Sequence, residues 1–374
     1  MAFFSPVIYS ENGRPDKFIT GKGISTEFAD IDSNVYTTYI KSYVTSQPYE
    51  RRMFIYNDIL YLAGTISSNI LTWVSYDLIL KKATIHTLNV ASLNVYNDCI
   101  YILTEISPLK FLVCSNNSNG SARYTKAHII DYANNRMTTL TNSASQYTCS
   151  TYPKSNIWYG IYDHVNTGVT VEKLVWNGTN LTTSYLLRQG TMYKNALIPV
   201  ASAVSNNVYF ITYTYNSDIL TLNVYSSKLE LLFTTNSLNG IKISSRTNDD
   251  IMVHIVYRYG NIQFFDIGHG YVYISAPHNT KAADDLKSIS IICKLSVDIS
   301  TKTINASDIH LINPMSAYQT VSKNLRLFQI FDKASFVWNQ NDDDDLSFYV
   351  FNNTSCTYAY EPAQIMKVTF EEES

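Results

Sequence analysis

One unit recurs along the chain: a turn carrying Asn or Asp that runs straight into an apolar, often Tyr-bearing strand. It occurs at Asn57-Asp58, Asn97-Asp98, Ser155-Asn156, Asn206-Asn207, Asp249-Asp250 and Lys323-Asn324. The anchor residues Asp58, Asp98, Asn156, Asn207, Asp250 and Asn324 are separated by 40, 58, 51, 43 and 74 residues. A second marker follows each anchor: strand, polar turn, strand, with Asp77, Asp131, Asn177, Ser226, Asp298 and Glu361 at the turn. Within both markers apolar and polar residues alternate with period two, the pattern of half-buried antiparallel strands. A supersecondary unit repeated this often closes its core by stacking on its neighbours.

The clearest copy runs from about Ala196 to Asn236 and offers four strands near residues 198–204, 208–215, 219–225 and 229–234. Four antiparallel strands per roughly 40–60 residues make the blade of a β-propeller. The expected fold is therefore all-β: a β-propeller of four-stranded antiparallel blades, six favoured and seven the alternative. Tandem β-sandwiches are the competing arrangement. Residues 1–47, with strands expected near 24–29 and 35–44, would supply closure strands or a partial blade. Residues 48–374 would form the propeller, with an insertion at about 259–287 that carries its own hairpin. Helix is expected only as a turn or two at Lys281–Lys287. Kelch, WD40 and Asp-box signatures are absent from the sequence.

Charged residues make up 16% of the 374, against about 25% in a typical soluble protein. Surface polarity must then come from Ser, Thr, Asn and the hydroxyls of 30 Tyr. A net charge of -3 gives no basic footprint for nucleic acid, and doublets such as Lys81-Lys82 read as solvated turns. No apolar run is long enough for a transmembrane helix, and the N-terminal residues show no basic region of a signal peptide. Cys99 and Cys293 sit in apolar strands as small hydrophobes, while Cys114, Cys149 and Cys356 leave a disulfide open as an alternative.

Candidate chemistry is sparse. Asp342, Asp343, Asp344 and Asp345 could supply oxygen ligands to calcium, although the run lacks alternating ligand spacing and suits an exposed turn. Trp73, Trp158, Trp176 and Trp338 could offer flat faces to sugar rings, or pack between strands. His269 lies in the tight turn Gly268-His269-Gly270 of the insertion, where a general base is conceivable. Asp77, Asp131, Asp298 and Glu361 recur at equivalent turns, so two could converge as a glycosidase pair, or each could cap its own turn. Sequons at Asn116, Asn119, Asn177, Asn180, Asn305, Asn352 and Asn353 match the number expected by chance in so Asn-rich a chain. No nucleophile elbow, P-loop or dinucleotide-binding motif is present.

In its abundance of Tyr, Ile, Asn, Ser and Thr, the chain resembles virion structural and attachment proteins of viruses infecting thermophilic archaea. That resemblance implies a non-enzymatic structural or binding protein on a virion or extracellular surface. It would be partnered by other virion or surface proteins and by a host glycan or surface filament, with no cofactor, no nucleic acid and no membrane span. The alternative is a propeller glycosidase or lyase acting on polysaccharide.

Overall fold

The structure, a computed structural model, describes residues 8–9, 15–19, 24–40, 52–93, 95, 99–116, 124–145, 157–164, 168–189, 198–202, 208–216, 219–228, 230–244, 254–256, 263–268, 271–275, 290–312, 333–339, 347–353 and 364–370. Two compact units divide the chain. Unit 1 comprises Met1–Ser33, Ile198–Ser335 and Asp344–Ser374, and unit 2 comprises Asn34–Leu197 and Phe336–Asp343. Both are all-β, built from antiparallel meanders of the β-propeller type. The described helix is confined to 33–40 and a single turn at 91–93.

The chain begins with β1 (Ile8–Tyr9), β2 (Pro15–Ile19) and β3 (Ile24–Asp30) in unit 1. A strand was expected near 35–44; residues 33–40 are instead helical, and 41–44 lie outside the described residues. Asp32, directly ahead of the helix, is a residue type favoured at an N-cap, and the half-buried Tyr36 lies four residues before the buried Ile40.

Unit 2 then lays down three sheets in order. The first is the four-stranded meander β4 (Met53–Tyr56), β5 (Ile59–Ser67), β6 (Ile70–Asp77) and β7 (Lys82–Asn89). The second is β8 (Ile100–Ser107), β9 (Lys110–Asn116), β10 (Tyr124–Asp131) and β11 (Arg136–Ser145). The third is β12 (Ile157–His164), β13 (Gly168–Trp176) and β14 (Leu181–Gln189).

In unit 1, β15 (Ile198–Ser202), β16 (Val208–Asn216), β17 (Ile219–Tyr225) and β18 (Leu231–Thr235) form another four-stranded meander. After the parallel pair β19 (Lys242–Ser244) and β20 (His254–Val256) comes a further meander. It consists of β21 (Gln263–Gly268), β22 (Tyr271–Ser275), β23 (Ser290–Asp298) and β24 (Thr303–Ile312). The hairpin anticipated as decoration is thus β21–β22, continuous with β23 and β24. β25 (Lys333–Asn339) places Trp338 opposite Phe54 of β4, in parallel. Finally β26 (Ser347–Asn353) and β27 (Gln364–Phe370) pair with each other, and β27 pairs with β3 from Gln364↔Asp30 to Phe370↔Ile24. Strands from the two ends of the chain therefore share one sheet.

The opening repeat has a backbone cause. Asn57 and Asp58 link β4 to β5 with φ of 48° and 57°, the two positive angles of a type I′ hairpin turn. Ser68 and Asn69 repeat this between β5 and β6, at 50° and 64°. Asn and Asp tolerate this region better than branched residues do. The anchors do not all keep one phase, however. Asn57-Asp58 and Asn206-Asn207 stand between the first and second strands of their sheets, whereas Asn97-Asp98 stands ahead of β8, the first described strand of its own. Lying one strand earlier than Asp58, it makes the preceding step short, at 40 residues.

Unit 2 buries both faces of its second sheet. One face joins the first sheet in a core containing Phe54, Tyr61, Trp73, Phe111, Val113, Ile130 and Tyr132. The other joins the third sheet through Leu103, Leu112, Cys114, Ala127, Trp176 and Leu181. Aromatic rings fix the first interface: Phe54 meets Phe111 at 4.4 Å and stacks on Tyr61 at 4.8 Å. Tyr132 reaches across to donate its hydroxyl to the Ala63 carbonyl at 2.7 Å. Beside it, Gly64 holds a φ of +114°, and an added Cβ would meet Leu71 Cδ1 at 2.8 Å and the Thr72 carbonyl at 3.0 Å. Gly64→Ala is expected to destabilise the protein by about 2–4 kcal/mol from strain and overpacking together; urea unfolding measures it.

Candidate functional site

Polar side chains in the described sheets fall into three arrangements. The first lies at the crests of the hairpins β6–β7, β10–β11, β13–β14, β17–β18 and β23–β24. Asp77 accepts the amides of Ile79 and Leu80 at 2.9 and 2.8 Å. Asp131 accepts the Asn134 amide at 3.0 Å and its side-chain amide at 2.9 Å. Asp298 accepts the Ser300 and Thr301 amides at 2.8 and 3.3 Å. Asn177 does the same for Thr179 and Asn180, and the Ser226 hydroxyl for Lys228 and Glu230. In the three Asp crests the fifth position takes a positive φ, at Lys81, Asn135 and Lys302. Burial alone would raise the Asp131 carboxyl, but hydrogen bonds from Asn134 and the nearby Lys110 outweigh it and hold the group below its ordinary value. The Asp298 carboxyl is likewise lowered, first by the Ser300 hydroxyl and then by the Thr301 amide. Asp131 and Asp298 thus lack the raised pKa of a general acid. Glu361 lies outside the described residues.

The second arrangement is a polar line across the inner strands of a sheet. His128 of β10 sits fully buried between the Ser115 hydroxyl, 2.7 Å from Nε2, and the Thr139 hydroxyl, 3.0 Å from Nδ1. Thr139 donates to the Leu93 carbonyl, so it accepts from Nδ1–H, and Ser115 donates to Nε2. The hydroxyl–imidazole pair resembles an activated nucleophile, but Ser115 is itself fully buried, where no substrate carbonyl reaches it. Three residues before the Ser226 crest, Asn223 occupies the position His128 holds before Asp131. It donates to the Thr212 hydroxyl and accepts from Thr234. Both lines satisfy a buried polar residue from two neighbouring strands.

The third arrangement surrounds a β-bulge. Lys294 of β23 pairs with Ser307 and Ile292 with His310, so Cys293 faces two residues of β24, Asp308 and Ile309. Asp308 adopts a φ of 49° there, and bulges of this kind re-aim side chains. Its carboxylate receives the Tyr271 hydroxyl and lies 3.4 Å from the Lys294 ammonium. That ammonium sits 4.7 Å over the Tyr271 ring. Lys294 and Asp308 remain 48% and 41% exposed. Tyr271 is raised above its usual value by burial and by the Asp308 hydrogen bond, so it stays a neutral donor. Beneath the bulge, burial pushes the Cys293 thiol up to about 12. The sequence holds no motif for this cluster, because its members come together only through strand register and a one-residue bulge.

The sequence candidates land elsewhere. Trp73 is 3% exposed, stacked on His86 at 3.6 Å, with its indole N–H directed to Asn135 at 3.4 Å. Trp176 is 6% exposed in the core shared with the second sheet. Both rings serve packing, with no face open to a sugar. Trp158 lies on β12 and Trp338 on β25, but their side chains lie outside the described residues, as do His269 and Asp342, Asp343, Asp344 and Asp345. Among the described residues no cluster of three or more His, Cys, Asp or Glu could hold a metal. None of the described helices is long and apolar enough to cross a membrane. Cys114 is packed among Leu103, Leu112 and Ala127, while Cys149 and Cys356 lie outside the described residues.

No family model matches the chain, and no curated protein matches it. Among solved structures it is similar to an α-L-arabinofuranosidase from Fusarium graminearum, with a TM-score of 0.44 and 10% identity, over 94% of this chain and 98% of that one. A neuraminidase-like protein of A/little yellow-shouldered bat/Guatemala gives 0.42 and 8%, over 92% and 98%. The Aleuria aurantia lectin, in complex with Fucalpha1-6GlcNAc, gives 0.35 and 12%, over 67% and 74%. At such scores these likenesses assign neither activity nor ligand.

The His128 ring makes a testable prediction. Burial, with Lys126 nearby, lowers its pKa from 6.5 to about 3, so the unfolded chain binds a proton that the folded chain refuses. Its contribution to stability is therefore intact above about pH 6.5 and is lost towards about pH 3, by up to about 1.4 kcal/mol per pH unit. His128→Asn, which adopts the residue used at position 223, should flatten that slope in urea unfolding compared at neutral and acid pH.

Proposed function

We propose that the chain is a non-enzymatic binding module, displayed on the exterior of a virion or cell, that engages a host glycan or surface filament. The observation that carries this reading is the Tyr271–Lys294–Asp308 cluster. It sets a fixed donor beside a fixed acceptor on a half-exposed bulge, a pairing suited to the hydroxyls of a sugar. The ion pair and the phenol hold both groups in place, so little side-chain entropy is lost when a ligand arrives. The low charge and hydroxyl-rich composition support an exterior role, because such a surface changes little with pH or salt. The crest carboxylates, engaged by their own turns, favour binding over the polysaccharide-cleaving alternative.

A glycan array probed with the full chain tests the reading, followed by titration of any hit against Asp308→Asn and Lys294→Met. Loss of one charge-assisted hydrogen bond costs about 1.5–3 kcal/mol, or roughly 10- to 100-fold in affinity, while thermal unfolding should move little for side chains this exposed. Equal binding by both variants would remove the cluster from the account. Release of new reducing ends from a polysaccharide would replace binding with catalysis. Mass spectrometry of purified particles and cell fractions tests display, and recovery from cytoplasm alone would contradict it.

A further inference from the structure

Three crests in the chain share one frame. Asp77–Lys82, Asp131–Arg136 and Asp298–Thr303 each begin with an Asp that accepts backbone amides of its own turn, and each turns left-handed at the fifth position. At the third and fourth positions two of them carry small or polar residues: Ala133 and Asn134, and Ser300 and Thr301. The frame therefore has no need of large apolar groups there. The first crest nonetheless carries Ile79 and Leu80, which are 72% and 74% exposed, and Ile85 on the adjoining edge strand β7 is 53% exposed. Lys81 and Lys82 follow directly and are both exposed.

We infer that this hairpin tip is a lipid-docking point: Ile79 and Leu80 enter the interfacial layer of a bilayer while Lys81 and Lys82 meet headgroup phosphates. Two observations favour lipid over a protein partner. The patch is a few side chains on a convex crest, far short of the roughly 800 Å² per partner that a stable protein interface buries. A bilayer closes around a protrusion without needing a complementary shape. The lysine pair also supplies the charge that interfacial segments place beside their apolar residues. Two acids lie close by. Asp77 faces the amides of its own turn, and Asp58, on the neighbouring turn, accepts the Leu78 amide through its carbonyl. They temper the local charge, so the aliphatic pair carries most of the attraction and the lysines add a smaller dependence on anionic lipid.

The test is flotation of the full chain with phosphatidylcholine vesicles, with and without phosphatidylserine. The native chain should float with both and more with phosphatidylserine. Ile79→Asn together with Leu80→Asn should reduce partitioning roughly tenfold or more while leaving the unfolding midpoint in place, since the same frame accepts Asn134 and Ser300. Lys81→Gln with Lys82→Gln should remove only the gain from phosphatidylserine. Failure of the native chain to float, or flotation of the Asn double variant at the native level, overturns the inference. Concentration-dependent self-association that the Asn variant abolishes, without flotation, would assign the tip to a second copy of the chain and overturn it equally. None of these outcomes depends on glycan binding at Asp308.

Discussion

A single side-chain oxygen that takes amides of its own turn sets the register of the sheets around it. At Asp77, Asp131, Asn177, Ser226 and Asp298 this bond decides where one strand of the hairpin stops and the next begins. Side-chain direction alternates along a strand, so a slip of one residue would turn every buried group outward. With the crest fixed, the residue just before it is buried each time: Tyr76, Ile130, Trp176, Tyr225 and Val297. Capping also gives a structural reason for acids to recur at these positions. At Asp77 and Asp298 the bonds to the turn all fall on Oδ1.

Crests lock sheets together as well as shaping them. In unit 2, Tyr132, from the crest of the second sheet, inserts its ring beside Phe54 and Trp73 and its hydroxyl onto Ala63. From the same crest, Asn135 donates to the Thr87 carbonyl and accepts from Trp73. One turn thus supplies an aromatic plug and three polar contacts to the sheet before it. Repetition builds a core this way because each meander, too thin to bury its own apolar face, completes that face against the next.

The all-β fold and its crest turns were legible in the sequence, because period-two alternation and the φ > 0 tolerance of Asn and Asp are local properties. Asn57-Asp58 and Asp131 behave as their residue types dictate. The fate of Trp73 was less visible: a strand tryptophan reads alike whether its far side meets water or another sheet, and only sheet stacking put it against Tyr132 and Asn135 of the next sheet. The Lys294–Asp308 pair was hidden altogether. Residues 37 apart, Tyr271 and Asp308, meet because two hairpins place them in register and one extra residue in β24 turns Asp308 towards them. Helix at 33–40 was missed because Val, Tyr and Ile favour strands, and its half-buried Tyr36 and buried Ile40 make too short a pattern to read as a helical stripe.

The central claim is that the repeated crest acids are structural caps and carry no chemistry. Carboxyl chemical shifts of Asp131 and Asp298, followed by NMR through acid titration of the folded chain, test it directly. Both should titrate below the ordinary value of 3.8, because the hydrogen bonds of their turns favour the charged form. Titration of either well above that value would mark a proton held for use, and would return these turns to the list of catalytic candidates.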